Sequence, residues 1–468
     1  MRTVRWISLL LALVCISPAV IIPAGWGLSL SGMTINISGS SSPSGESIST
    51  LFVILDSYYY AFLFLNLLPF VFLTINASIM VNIQWKRVKD IRKRSQKDSD
   101  NVPELFNSKA HPMVSIIIPC YNEAMNVSST IASSYRQDYR GNIEIIVVDD
   151  GSRDDTWSIS RIFKTGDKQR SVKVFHKSNG GKADALRYGI EKSTGDIIIM
   201  TDGDSVLHSN AVSSIVDTFH VHPDAGIVGG YVFIRNTHTG YLTKLQQLEY
   251  IITQHLIRIN QSEDGSVLIA PGPVFGIRSD LARAIPPVDR TIVEDCDLTM
   301  SVLSTGYTTR STTKAVAYTT APATWSAWFK QRKRWIYGQF QAWRENRWHL
   351  KKNLWGLYTY FTWVSTTISA FLLGILLLVS LMFAISGGNY YRFIEFVSLR
   401  TGMVFLIYLL SRIIVLIQYQ EGRRIILYIP LKALYDMVNG FLTAYLYMRY
   451  ITRSGIRISW GNRTGVVQ

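Results

Sequence analysis

Two aspartates separated by one glycine, Asp202-Gly203-Asp204, follow the apolar run Ile197-Ile198-Ile199-Met200. Carboxylates this close repel unless a cation or hydrogen-bond donors lie between them, and their hard oxygens suit magnesium or manganese. A lone pair of this kind is ordinarily an acidic turn closing a strand. Further polar turns accompany it: Asp149-Asp150-Gly151-Ser152 and Asn179-Gly180-Gly181-Lys182. Asp150 has the acceptors for a base or ribose, the glycines let backbone approach phosphate, and Lys182 adds positive charge. With Asp202 and Asp204 holding a divalent ion, the set describes a site for a nucleotide diphosphate.

Each turn comes after an apolar stretch of strand length. Residues 113–119 are stopped by Pro119, 143–148 run into Asp149, 172–175 lead to the Gly-Gly turn, and 197–200 lead to Asp202. Helical spacing resumes at 126–136, 155–163 and 183–191. Strand, polar turn and helix in repetition predict a mostly parallel sheet covered on both faces, with all four turns at its carboxyl edge.

The chain has 468 residues, 17% of them charged, and a mean hydropathy of +0.15, so part of it is expected in lipid. The net charge of +15 clusters beside apolar spans rather than on an aromatic-interleaved face, which argues against nucleic acid. Cys15, Cys120 and Cys296 are too dispersed for a disulfide framework or a zinc site. Apolar spans are expected at 6–30, either a transmembrane helix or a signal peptide, and at 51–83. The Ser/Gly-rich loop 31–49 between them holds the sequon Asn36-Ile37-Ser38. The basic cluster 86–94 would place the chain beyond it in the cytoplasm. Further spans are expected at 355–385, at 402–419 with Arg412, and at 425–448, the last interrupted by Pro430, Lys432, Asp436 and Asn439. Counting the last gives five helices and omitting it gives four. Residues 322–350, with Trp325, Trp328, Trp335, Trp343 and Trp348 among bases, suit a helix at a membrane surface.

Residues 114–152 and 180–205 resemble the nucleotide half of a GT-A fold family 2 glycosyltransferase. The similarity resumes at Pro271-Gly272-Pro273, at Val293-Glu294-Asp295-Cys296-Asp297 and at Gln331-Arg332-Lys333-Arg334-Trp335. In order, these are similar to the acceptor segment, the Thr-Glu-Asp motif and the Gln-x-x-Arg-Trp motif of membrane-embedded polysaccharide synthases, the group that makes poly-N-acetylglucosamine, chitooligosaccharides, hyaluronan and cellulose. Val293 stands where that group usually has threonine. The resemblance implies donor and acceptor contacts from Tyr121, Glu123, Asp150, Lys182, Asp202, Gly272, Pro273, Gln331, Arg334 and Trp335. It also implies catalysis by Asp295 with Glu294, and a magnesium or manganese ion on Asp202 and Asp204.

The residues themselves argue for the same chemistry. Moving a sugar from a diphosphate to a hydroxyl needs a base, for which Asp295 is the candidate, and positive charge on the leaving group, for which Lys182 and Arg334 are candidates beside the metal. Trp335 offers a face for a pyranose ring, and Gln331 can donate and accept. A helix N-terminus is the plainer explanation of Glu294-Asp295, and an interfacial anchor that of Trp335.

The expected protein is an α/β GT-A, Rossmann-like catalytic domain with transmembrane and interfacial helices. Its expected divisions are 1–84 (membrane helices), 85–110 (basic linker), 111–321 (catalytic domain), 322–352 (interface helices) and 353–468 (membrane helices and basic tail). It would sit multi-pass in the cell membrane with its catalytic domain in the cytoplasm. There it would polymerise a UDP-sugar, UDP-N-acetylglucosamine first among them, onto a growing polysaccharide, with membrane lipid and a small accessory subunit as partners and no nucleic acid. Transfer of one sugar to a lipid, and an inactive secretion subunit, are the alternatives.

Overall fold

The computed structural model describes residues 111–367 and 426–452, less 168, 288, 352, 354, 362, 365 and 366. Within them β1 (Val114–Cys120), β2 (Ile143–Asp149), β4 (Arg170–His176) and β5 (Ile197–Met200) form the parallel half of a nine-stranded sheet. The alternate residues Ile116, Ile118, Ile145, Val147, Ile197 and Ile199 enter one core, while Ile117, Ile146, Val148, Ile198 and Met200 enter another on the opposite face. All are essentially inaccessible, which is why these strands read as unbroken apolar runs. The crossover helices α1 (Val127–Tyr135), α2 (Thr156–Ile162) and α3 (Lys182–Lys192) match the expected segments to within about two residues.

The edge strand β3 (Thr165–Gly166) pairs antiparallel with β4. Beyond β5 the sheet turns mixed. Here β8 (Phe275–Arg278) runs antiparallel to both β5 and β7 (Ala225–Ile234), β9 (Thr308–Thr319) runs parallel to β7, and the short β6 (Val206–Leu207) closes antiparallel on β9. The helix α4 (Ala211–Val221) crosses from β6 to β7. At the amino edge Glu144, wholly buried, accepts from Ser115 Oγ at 2.6 Å and Thr194 N at 2.5 Å and pairs with Lys173 at 2.6 Å, which ties three strands together away from the site.

After β7 the chain forms α5 (Tyr241–Thr253), a π-helical turn at Gln254–Arg258 and α6 (Ile259–Glu263). The Gln254 amide donates to Val232 O at 2.9 Å and accepts from Val232 N at 2.7 Å, fastening the π turn to β7. Next come α7 (Ser279–Ala284), α8 (Glu294–Ser304), α9 (Trp325–Glu345), α10 (Arg347–Leu350) and finally α11 (Ile429–Ile451), which packs on α9 and α5.

Among the described residues no helix is long and apolar enough to cross a membrane. This corrects the multi-pass cell-membrane placement, and 425–448, whose counting separates five helices from four, is not a span. The last expected span became α11, 23 residues that include the buried Lys432, ion-paired with Asp436, and a buried Tyr435. This buried face, with its charge, packs on α5 and α9. The expected spans 6–30, 51–83 and 402–419, nearly all of 355–385, the loop 31–49, the cluster 86–94 and the tail from 453 lie outside the described residues. The expected interfacial helix is α9, capped by Thr324, whose side chain accepts from Ala327 N. Its Trp328 faces protein, fully buried with the indole N–H donated to Tyr435 Oη at 2.7 Å.

Candidate active site

Register aligns Cys120, Asp149 and His176 across neighbouring strands, so the loops after β1, β2, β4 and β5 share one edge. The loop after β1 is fixed by the loop after β2. Asn122, at φ 55°, donates its N–H to Ser152 Oγ at 2.9 Å and accepts from Arg153 N at 2.8 Å. Glu123 N donates to Thr156 Oγ1 at 2.7 Å and Ala124 N to Asp154 Oδ2 at 3.1 Å. This holds Tyr121 half-buried and Glu123 buried, the latter beside Gly203.

Asp150 is buried, and both its oxygens are engaged within the protein. Oδ1 accepts from Lys177 Nζ at 2.7 Å and Gly180 N at 2.9 Å, and Oδ2 from Gly181 N at 2.8 Å. Gly181 has φ 90°, which a side chain would strain, so the Gly-Gly turn is a conformational requirement as well as a close approach. The sequence leaves the acceptors of Asp150 to a ligand, whereas the structure uses them to shape the turn that aims Lys182.

Lys182 is the cation at the centre. Its ammonium lies 2.7 Å from Asp202 Oδ1 and closer still to Glu294. Despite burial, the charges of Asp202, Glu294 and Asp295 push its pKa up. Glu294 and Asp295 open α8, where the helix dipole favours negative charge. Asp295 Oδ2 accepts from Gly272 N at 3.0 Å and Oδ1 from Cys296 N at 2.8 Å. Burial first, and then the adjacent Glu294, push the Asp295 carboxyl up to about 6. A Cβ on Gly272 would stand 3.2 Å from Asp295 Oδ2, 3.3 Å from Asp202 Oδ2 and 3.4 Å from Lys182 Nζ, so the glycine backbone forms one wall of this charged centre. Pro273 holds the same segment to β5, its carbonyl accepting from Thr201 Oγ1 at 2.8 Å. Lys182, Asp202, Gly272, Glu294 and Asp295 line one cavity whose apolar side is Leu186, Met200, Phe275 and Leu298.

Asp204 is pushed up to about 6 by burial and by Asp202, with Ser205 Oγ donating to it at 3.2 Å. Gly203 between them is required by crowding, since a Cβ there would meet Pro119 O at 3.0 Å and Glu123 Cγ at 3.1 Å. Among the described residues no group of three His, Cys, Asp or Glu side chains could enclose a metal. Two hard-oxygen carboxylates one residue apart, Asp202 raising the proton affinity of the buried Asp204, do fit a divalent ion that draws its remaining ligands from diphosphate and water.

The third motif stands apart from this cavity. Gln331, Arg334 and Trp335 are half-buried on α9 and do not line it. Trp335 lies beside Tyr250, ring centroids 6.3 Å apart, and Asp204 is near enough to Tyr250 to act on its phenol electrostatically. Tyr250 has no motif to announce it. Asp297 joins no substrate-facing set: Arg290 holds it in a bidentate pair at 2.7 and 2.9 Å, and Asn346 donates to it at 3.0 Å, locking α8 to the end of α9. Val293 is the cap residue of α8, where threonine could accept a hydrogen bond and valine cannot. It is buried instead against Gly338 of α9.

Residues 111–338 match the family described as glycosyltransferase like family 2. The chain is 29% identical over 326 residues to an N-acetylglucosaminyltransferase of Azorhizobium caulinodans, an alignment covering 67% of this chain and 79% of that protein. It is 31% identical to an N-acetylglucosaminyltransferase of Rhizobium meliloti and 30% identical to the probable glycosyltransferase YdaM of Bacillus subtilis, in each case over 51% of this chain and 58% of the relative. It thus spans little more than half the length of these last two. A solved mannosyltransferase from Pyrobaculum calidifontis, in complex with GDP-Man and Mn2+, superposes with a TM-score of 0.57 at 17% identity, covering 86% of this chain and 99% of that one, which shows a common GT-A-like fold.

Proposed function

We propose that this chain, a UDP-sugar glycosyltransferase carrying a family 2 domain, takes N-acetylglucosamine from UDP-N-acetylglucosamine and adds it with inversion to a sugar hydroxyl, extending a β-linked chain. The observation that carries the reading is Asp295. Its carboxylate is held by two backbone N–H groups, with a raised proton affinity, on the wall of the cavity that contains Lys182 and Asp202. The choice of sugar draws on the N-acetylglucosaminyltransferases among the relatives.

In this reading the acceptor hydroxyl oxygen bonds to the anomeric carbon as the bond to the diphosphate oxygen breaks, and Asp295 takes the hydroxyl proton. Gly272 N and Cys296 N each hold one oxygen of that carboxylate on the cavity wall. Lys182 stands ready to meet diphosphate oxygens by exchanging part of its pairing with Asp202 and Glu294, and Arg334 adds charge from α9. Glu294 keeps Lys182 oriented. Asp202 and Asp204 would hold a magnesium or manganese ion, which supplies charge for the leaving diphosphate. Repeated addition to one chain belongs to the same proposal, with Trp335 and Tyr250 as the aromatic faces for the acceptor sugar.

The test is incubation of purified protein with each common UDP-sugar and a chitooligosaccharide acceptor, following UDP release and the product's anomeric configuration. UDP-N-acetylglucosamine should be the best donor and the new bond β. A different preferred donor would overturn the sugar assignment, and a ladder lengthening evenly by one residue, with release between additions, would overturn repeated addition. Chelation should abolish transfer, and Asp204→Asn should lower it at least about 10²-fold, the scale of a lost charge-stabilising group. Full activity in EDTA would remove the metal from this account.

A further inference from the structure

Arg332, inside the Gln331–Trp335 motif but outside its recognisable positions, is among the most heavily engaged side chains of α9. Only 6% of its side chain is exposed. Its Nη2 donates to Glu249 Oε2 of α5 at 2.6 Å and to Tyr435 Oη of α11 at 3.1 Å. Tyr435 in turn donates to the same Glu249 oxygen at 2.5 Å and accepts the Trp328 indole N–H. The guanidinium is centred 4.6 Å from the Trp335 ring and 5.7 Å from the Trp328 ring, so it is gripped by a carboxylate, a phenol and two indole faces. Its Nε is buried with no hydrogen-bond partner. A buried ion pair alone is weak evidence for stability, because desolvation offsets much of the attraction. What this arrangement supplies is a fixed guanidinium over the Trp335 ring.

We infer that Arg332, held by Glu249 and Tyr435, is a positioning residue that sets the ring of Trp335 for the acceptor sugar, so that the C-terminal helix α11 takes part in acceptor binding. Trp335 has the Arg332 guanidinium over its ring and Tyr250 as its aromatic neighbour. Loss of the guanidinium frees the ring to rotate while Asp295, Lys182 and the cavity around them keep all their contacts. The expected signature is therefore a failure of acceptor binding with donor binding preserved.

The inference rests on the donor and acceptor proposed above, and the experiment keeps the two apart. Arg332→Lys retains the charge for Glu249 but not a planar group to stack. It should raise acceptor KM about tenfold, the scale of a desolvated cation–π contact, with KM for UDP-N-acetylglucosamine within about twofold of wild type. In a Trp335→Ala background the same change should add less than about twofold, because the ring it acts through is gone. Tyr435→Phe, which keeps the ring and removes only the hydroxyl, should shift acceptor KM in the same direction by about threefold and serves if the lysine variant folds poorly. Equal rises in both KM values, or effects that multiply in the Trp335→Ala background, would overturn the inference. A substrate-free arm covers the case in which the donor proves to be another sugar: urea unfolding of wild type, the two single variants and the double variant. Non-additive stability changes support the coupling of Arg332 to Trp335, and additive ones overturn it.

Discussion

Asp295→Asn is expected to lower the transfer rate about 10²–10⁴-fold, the range for loss of a positioned base, while UDP affinity stays near wild type. The substitution keeps the shape of the side chain and at least one oxygen to accept from Gly272 N or Cys296 N, so the segment around 272 should stay in place. It removes the ability to take a proton. The pH profile supplies a second check. Burial and Glu294 raise the Asp295 carboxyl to about 6, and a base works only when deprotonated, so the wild-type rate should climb through about pH 6 and then level off. Residual activity in the variant should lack that rise. A variant that turns over normally would remove Asp295 from the chemistry, and an unchanged rise with a slow variant would assign the titration to another group.

The parallel half of the fold was legible because every strand in it is buried on both faces and ends in a polar turn. Ile143–Asp149 is the clearest case: five of its seven residues are aliphatic, and all seven are inaccessible. The mixed half was not legible. Thr308–Thr319 is mostly threonine and charge, and it becomes a strand through pairing with Ala225–Ile234, far away in sequence. The same difference governs the site. Lys182, Asp202, Gly272, Glu294 and Asp295 come together because Asp202 follows a strand, Lys182, Glu294 and Asp295 open helices, and Gly272 lies just ahead of β8. The engaged state of Asp150 was invisible, since a side chain bonded to backbone N–H groups thirty residues on leaves no spacing signal. Arg332, Glu249 and Tyr250 were missed for a related reason: their roles depend on three helices meeting. The apolar content of the last segment suggested a span, but Lys432 paired to Asp436 inside the fold shows that composition alone does not separate a lipid-facing helix from one that packs on protein.

Lys182→Met is expected to cost both stability and catalysis. The ammonium lies between Asp202 and Glu294, with Asp295 close enough to act on it, and the Glu294 side chain is only 7% exposed. Methionine fills nearly the same volume without charge, leaving three carboxylates facing one another in a small cavity. Removing one partner of a buried pair costs about 3–5 kcal/mol, most of it the cost of the charge left behind. Proton uptake relieves this at Asp295, whose carboxyl burial and Glu294 already raise and which Lys182 pulls down in the wild type, so its folded-state pKa rises further above the unfolded one in the variant. A group shifted upward contributes stability that is present at low pH and lost as pH rises through its folded value. The gap in melting temperature between wild type and Lys182→Met should therefore be widest at neutral pH and narrow as the pH falls toward about 4, the ordinary carboxylate range. On the proposed mechanism transfer should fall by at least about 10²-fold at every pH, because the cation proposed to meet the leaving diphosphate is gone as well. A gap that stays constant from about pH 7 to about pH 4 would show that the carboxylates do not depend on Lys182 for their charge. Near-normal transfer would show that the diphosphate is met elsewhere, with Arg334 the next cation to test.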